Sequence, residues 1–171
     1  LEPLVERYFD DGFNLLPELG AANFDIYVVA VGTPVDCQGV PIMEDIENAL
    51  GQIAQVLKFK DLVILRSTVP PCTCRNIAIP ILEKKSGLKA GSGFHFVFAP
   101  ERTVQGRAIE ELRLLPQIIG GYTSGCTNAA AQFFNVFSPT IVKVDSLEAS
   151  EVVKLLNNSF RDVSFGYANQ I

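Results

Sequence analysis

Three short polar stretches, each at the end of an apolar run, hold the residue types that could do chemistry. Gly32-Thr33-Pro34 follows DIYVVAV (25–31), Ser67-Thr68-Val69 follows DLVILR (61–66), and Pro100-Glu101-Arg102 closes FHFVFAP (94–100). A glycine lets a ligand approach the backbone closely, and the Thr33 hydroxyl can meet a ribose or phosphate oxygen. An ordinary strand-to-loop turn uses the same residues. Ser67 and Thr68 place hydroxyls at a strand end, and the prolines behind them, Pro70 and Pro71, suit a helix start. Simple capping is the competing account. Glu101 and Arg102 could serve as a general base and an anion clamp, or as a solvated ion pair. A fourth pair, Lys154 and Asn158 in EVVKLLNNSFRD, lies four residues apart and shares a helix face. A lysine among Val152, Val153, Leu155 and Leu156, with an amide beside it, can supply donors to an oxyanion. A surface lysine with a polar neighbour is the alternative.

The cysteines Cys72 and Cys74 in ILRSTVPPCTCR draw the eye first. They open a helical pattern, where a thiol pKa is lowered, so both are expected to be oxidation-prone. No His/Cys set has zinc spacing, so no metal site is expected. His95, the only histidine, sits between Phe94 and Phe96 and reads as a packed or edge residue. Four cysteines, irregularly spaced over 171 residues, fit reduced thiols better than a disulfide framework. No GxGxxG phosphate cradle is present.

The elements that must position these residues alternate. Besides the three apolar runs, QIIGG (117–121) and TIVKV (140–144) read as strands. Residues 42–57 carry Ile42, Ile46, Leu50, Ile53 and Leu57 at helical spacing. Helical patterns also cover 73–85, with Pro80 a doubtful point inside it, then 124–137, and from about 147 to the end. Apolar strands between helices argue for an α/β fold with a parallel sheet covered on both faces. In such sheets ligands bind beyond the carboxyl ends of the strands, which is where the three polar stretches fall.

Composition narrows the classes. The net charge is −5, with Lys and Arg scattered, which sets aside a nucleic-acid binder with its basic stripe. No apolar run approaches the roughly 18 residues of a membrane span, and no charged and apolar leader opens the chain. The length suits one domain, or a domain and a piece of another. Hydrophobic residues make up 48%, high for a soluble domain, which a well-buried sheet or a missing partner surface would explain. The only methionine is Met43, so an internal fragment is expected.

Taken in order, VAVGTPVD (29–36), STVPPCT (67–73), APERTVQGRAIEELRLLPQIIGG (99–121) and EVVKLLNNSFRDVSFGYANQ (151–170), with EPLVE near the start, resemble the nucleotide-sugar 6-dehydrogenases. That family includes the UDP-glucose, UDP-N-acetylmannosamine and GDP-mannose dehydrogenases. NSFRDV and the PERT stretch look more like the N-acetylhexosamine members. The resemblance implies the later part of a Rossmann-like doubly wound parallel sheet over 1–145, an incomplete NAD-binding domain with the first strands and the GxGxxG missing, and the start of a long central helix over 146–171. It implies a four-electron oxidation: the sugar C6 alcohol passes through an aldehyde and a thioester-like cysteine adduct to a carboxylate, reducing two NAD.

Carried over by motif, Gly32, Thr33, Pro34 and Ser67 would line the NAD site. Thr68 would order a water near C6, and Glu101 would act as the base-like carboxylate in adduct hydrolysis. Arg102, Thr103, Val104 and Gln105 would hold the nucleotide sugar, and Lys154 and Asn158 would stabilise the oxyanion. A cytoplasmic homodimer formed through the central helix follows from the same likeness, with neither nucleic acid nor membrane as partner. The family's GxGxxG and its nucleophilic cysteine have no counterpart here. Cys72 stands where the resembling enzymes usually carry glycine, and Cys74 where they often have a small polar residue. The isolated chain is therefore expected not to turn over, and to self-associate or order poorly. The rivals are another two-domain NAD(P) dehydrogenase, of the 3-hydroxyacid or 6-phosphogluconate type, and a non-catalytic binding or assembly module.

Overall fold

The computed structural model describes residues 14–20, 24–104 and 106–171. The EPLVE stretch and Gln105 lie outside the described residues. Among the described residues five strands form one sheet in chain order: β1 (Ile26–Val29), β2 (Leu62–Leu65), β3 (His95–Phe98), β4 (Gln117–Gly121) and β5 (Ile141–Val144). The helices are α1 (Glu44–Val56), α2 (Ile79–Ser86), α3 (Ala108–Leu114), α4 (Ser124–Phe134) and α5 (Leu147–Ala168).

Four of these helices, α1, α2, α4 and α5, lie where helical patterns are read in the sequence. In α1, Ile46, Leu50 and Ile53 recur at helical spacing and are buried. Three acids in its first turn, Glu44, Asp45 and Glu47, complement the positive end of the helix dipole. Thr123 and Ser146 cap α4 and α5 by accepting the N–H of Cys126 and of Ala149. Pro80 does not end the helical run around it. The turn Cys74–Ala78 ahead of α2 is wound as a π-helix, and the Ile79 N–H reaches back to the Cys74 carbonyl. Proline lacks an N–H and its ring crowds the carbonyl four residues back; the wider turn accommodates both.

The sheet separates two apolar layers. On one face α1 and α2 cover Tyr27, Val29, Val63, Leu65, Phe96 and Phe98, and the first residue of α5, Leu147, joins them. On the other face α4 covers Leu62, Ile64, Val97, Ala99 and Ile119. Among the described residues, cover on that second face stops short of β1, whose Ile26 and Val28 are 38% and 47% exposed.

Two features depart from the sequence reading. The helix α3 follows the PER stretch, yet none of its residues is buried, so its apolar signal is weak. The sheet is parallel except between β3 and β4, which pair antiparallel with Val97 opposite Gly121 and Phe98 opposite Gly120. Strand β5 pairs parallel to β4. The reversal brings Gln117, at the start of β4, to the same edge as the ends of β1, β2 and β3. It also turns α5 back toward that edge.

Candidate active site

The ends of β1, β2 and β3 meet the second turn of α5 around one pocket of about 360 Å³. Ala30, Val31, Gly32 and Thr33 line it from β1, Arg66, Ser67 and Thr68 from β2, Glu101 and Thr103 from β3, and Lys154 from α5. Of the twelve residues singled out from sequence, seven line this pocket: Gly32, Thr33, Ser67, Thr68, Glu101, Thr103 and Lys154.

Glu101 is held at both carboxylate oxygens. Its Oε2 accepts from Arg66 Nη2 at 2.6 Å, and its Oε1 accepts from the backbone N–H groups of Arg102 and Thr103, each at 2.8 Å. Partial burial pushes the carboxyl pKa up, but the Thr103 N–H and the Arg66 guanidinium outweigh it and hold the group below the usual carboxylate range. Lys154 Nζ donates to the Glu101 carbonyl oxygen. Burial pulls the Lys154 pKa down; Glu101 opposes this, while Arg161, Arg102 and Arg66 add to it. The pocket thus joins an ionised carboxylate to an ammonium of weakened proton affinity, a pairing suited to proton transfer and to meeting a developing oxyanion.

The hydroxyls are committed in a specific sense. Thr33 Oγ1 donates to the Thr68 carbonyl and Ser67 Oγ donates to the Val31 carbonyl, both at 2.7 Å. These two bonds stitch the β1 and β2 exits together. They also use up the hydroxyl protons, so both oxygens face a ligand as acceptors, matched to ribose hydroxyl or carboxamide donors rather than to phosphate oxygens. Gly32 has no heavy atom within 4 Å of where a Cβ would stand, so a flat ligand can lie directly on its backbone. A dinucleotide fits these residues: an open glycine, two acceptor hydroxyls, and a floor of Ala30 and Val31. A second, apolar pocket of about 350 Å³ shares Thr33 and Thr68 and extends to Val35, Pro70 and Leu155.

Other predicted residues lie at the margin. Pro34 starts the 34–41 loop, its carbonyl accepting from the Ile42 N–H at 2.8 Å. The Arg102 Nη1 donates to the Pro116 carbonyl at 3.2 Å, and the Val104 N–H donates to Glu111 Oε2 at 2.8 Å. Asn158 is half-buried one turn beyond Lys154 on α5 and is not among the pocket-lining residues. Gln105 lies outside the described residues. Among the described residues, no group of three or more His, Cys, Asp or Glu could hold a metal ion.

The cysteine expectation is corrected for Cys74. Its thiol is buried, and burial, reinforced by the neighbouring Glu151 carboxylate, pushes its pKa far up rather than down. Glu151, itself 0% exposed, fills the helix start: it accepts the N–H of Cys72 at 2.6 Å and of Cys74 at 2.8 Å. The positive end of the helix is therefore spent on a carboxylate. Cys72 is exposed, and its φ of 70° is the left-handed conformation that favours glycine.

Sequence reasoning gave no role to Glu151 or to Arg66. The signal for Arg66 was in view: a cation closing an apolar strand, one residue ahead of Ser67.

The sequence model of the UDP-glucose/GDP-mannose dehydrogenase family, NAD binding domain, matches residues 4–138. The UDP-N-acetyl-D-mannosamine dehydrogenase of Pyrococcus horikoshii is 31% identical over 178 residues, covering 99% of this chain and 42% of that protein. The chain thus spans about two fifths of that relative's length. A solved structure of UDP-D-ManNAc dehydrogenase from Pyrococcus horikoshii superposes with a TM-score of 0.91 at 30% identity, over 99% of this chain and 40% of that one. A ternary complex of GDP-mannose dehydrogenase from Pseudomonas aeruginosa superposes with a TM-score of 0.80 at 26% identity, over 86% of this chain and 34% of that one. The chain belongs to the UDP-glucose/GDP-mannose dehydrogenase family, and the stretch it carries is that of the family's NAD-binding domain.

Proposed function

We propose that this chain is the NAD-binding and substrate-facing part of a nucleotide-sugar 6-dehydrogenase that oxidises a sugar C6 alcohol to a carboxylate in two steps. The substrate class that suits it best is a UDP-N-acetylhexosamine such as UDP-N-acetylmannosamine. The observation that carries the reading is the convergence of Ser67, Thr68, Glu101 and Lys154, from three elements, on one pocket. The name of the Pyrococcus horikoshii relative supports the choice of sugar. In this reading residues 1–145 make up the NAD-binding region and 146–171 begin the central helix.

Bound NAD supplies the hydride acceptor. Gly32 gives it room, and Thr33 and Ser67 accept hydrogen bonds from it, with Pro34 shaping the loop they leave by. Thr68 orders a water near C6. Glu101, ionised at neutral pH, draws a proton from that water as it attacks the cysteine adduct. Lys154 and Asn158 meet the oxyanion that forms at C6. Arg102, Thr103, Val104 and Gln105 hold the nucleotide sugar from the loop after β3.

The protein works as a homodimer in the cytoplasm, with α5 as the contact. Support for the contact is a stripe of exposed apolar residues on α5: Leu156, Phe160, Val163 and Tyr167. Among the described residues no helix is long and apolar enough to cross a membrane.

The test is stoichiometric. The full-length protein, given UDP-N-acetylmannosamine and NAD, should release two NADH per sugar. One NADH per substrate would point to a single-step dehydrogenase of the 3-hydroxyacid kind. NAD binding without turnover on any nucleotide sugar would point to a non-catalytic module.

A further inference from the structure

The end of β2 carries a buried cation to which the chemistry above assigns no task. Arg66 is 8% exposed, and its guanidinium is held from three sides. Nη2 donates to Glu101 Oε2 at 2.6 Å, Nη1 donates to Gln117 Oε1 at 3.3 Å, and the guanidinium carbon lies 5.3 Å from the Phe134 ring centroid. Gln117 and Phe134 are themselves buried, at 5% and 2% exposure. They come from β4 and α4, so the antiparallel strand and the helix behind it jointly fix the plane of the fork. A guanidinium stacked on an aromatic ring and pinned by an amide has few other orientations open to it.

Glu101 differs. Its side chain is 44% exposed and reaches into the pocket from a loop. Its Oε1 is held by the Arg102 and Thr103 N–H groups; its Oε2 has Arg66 as partner, and without that partner the carboxyl would take up protons closer to the ordinary acidic range. The rigid partner is Arg66; the adaptable one is Glu101. Lys154 beside the pair feels the positive charges of Arg161 on α5, of Arg102 on the Glu101 loop and of Arg66 itself.

We propose that Arg66 is a positioning residue for Glu101: it fixes the direction in which the carboxylate faces the pocket and sets the charge it carries there. This rests on the reading of Glu101 as the carboxylate that activates water. Arg66 itself touches neither sugar nor dinucleotide in this scheme. It acts through Glu101, and at longer range its charge is one of those that weaken the hold of Lys154 on its proton. Replacing it should therefore alter the pH at which the site works, beyond any loss of rigidity.

The test uses the full-length protein with Arg66→Met, Arg66→Lys and Gln117→Leu, and two readouts. One is the acid limb of the kcat profile. The other is the titration of the Glu101 carboxyl by carboxyl-carbon NMR, assigned with Glu101→Gln, which needs no turnover. In Arg66→Met both midpoints should rise by about one pH unit, a tenfold change in the ionised fraction at low pH. Arg66→Lys, which keeps the charge and loses the fork, should fall between Met and wild type. Gln117→Leu should move the midpoints least. Should Arg66→Met fail to fold, Arg66→Lys decides alone. A carboxyl titration unmoved in the folded variants overturns the inference, even if the rate drops. A carboxyl midpoint that moves while the rate limb stays put upholds the clamp and instead overturns the role of Glu101 in the reaction.

Discussion

Lys154 carries its charge in a poor place to hold one. Burial lowers its pKa, and three arginines push the same way against Glu101 alone. Its proton is donated to the Glu101 carbonyl oxygen, which sets the ammonium at the pocket's rim. A lysine that stabilises an oxyanion must be protonated, so its contribution is complete below its pKa and fades as the pH rises through it. Because that pKa is depressed, the loss should begin below the ordinary lysine value of about 10.4. In the full-length protein Lys154→Met should lower kcat by about 10²–10³ with little change in KM for NAD. The alkaline limb of the wild-type kcat profile should vanish with it; a limb that survives the substitution belongs to another group. The residue types and spacings of Glu101 and Lys154 were legible in the sequence because strand ends and helix faces follow from local pattern. The partner of Glu101 was not, since Arg66 and Glu101 are 35 residues apart. Their contact depends on which strands lie side by side.

At the scale of elements, the reversed strand is what closes the site. An all-parallel sheet is the natural reading of apolar strands between helices, and it would send a helix after β5 away from the ends of β1 to β3. The antiparallel pairing of β4 sends α5 toward them instead. The packing this requires is close. A Cβ on Gly120 would stand 2.2 Å from the Ser146 carbonyl oxygen, and one on Gly121 would stand 2.6 Å from the Thr127 nitrogen. QIIGG was readable as a strand, but its direction and the need for two glycines come from the helices packed on it. Glu151 then locks α5 in place, one turn before Lys154. Its carboxylate is fully buried against the N–H groups of Cys72 and Cys74, beyond the Ser67-Thr68 stretch. Glu151→Ala strands two inward-facing N–H groups, at a cost of about 1–3 kcal/mol each. Urea unfolding of this variant should show a loss of about 3 kcal/mol. A change below about 1 kcal/mol would mean that water replaces the carboxylate and that α5 is held elsewhere.

At the scale of the whole molecule, two of the apolar surfaces left uncovered are not equivalent. One is the face of β1 with Ile26 and Val28, about two-fifths to half exposed. The other is α5, where Leu156, Phe160, Val163 and Tyr167 are 63%, 76%, 71% and 71% exposed. Their spacing of four, three and four residues is that of a heptad seam, and a patch of this kind marks an interaction surface. The seam faces away from the pocket-lining Lys154, so a second copy could pack on it without closing the site. A charge at its centre should then act on association and leave the fold alone, since Phe160 touches no core. The chain as a 171-residue protein should show a light-scattering mass that rises with concentration. Phe160→Glu should shift that rise to at least tenfold higher concentration, about 1.4 kcal/mol of association energy, with unchanged thermal unfolding at low concentration. If the mass of the variant follows the wild-type curve, the helix seam is not the contact.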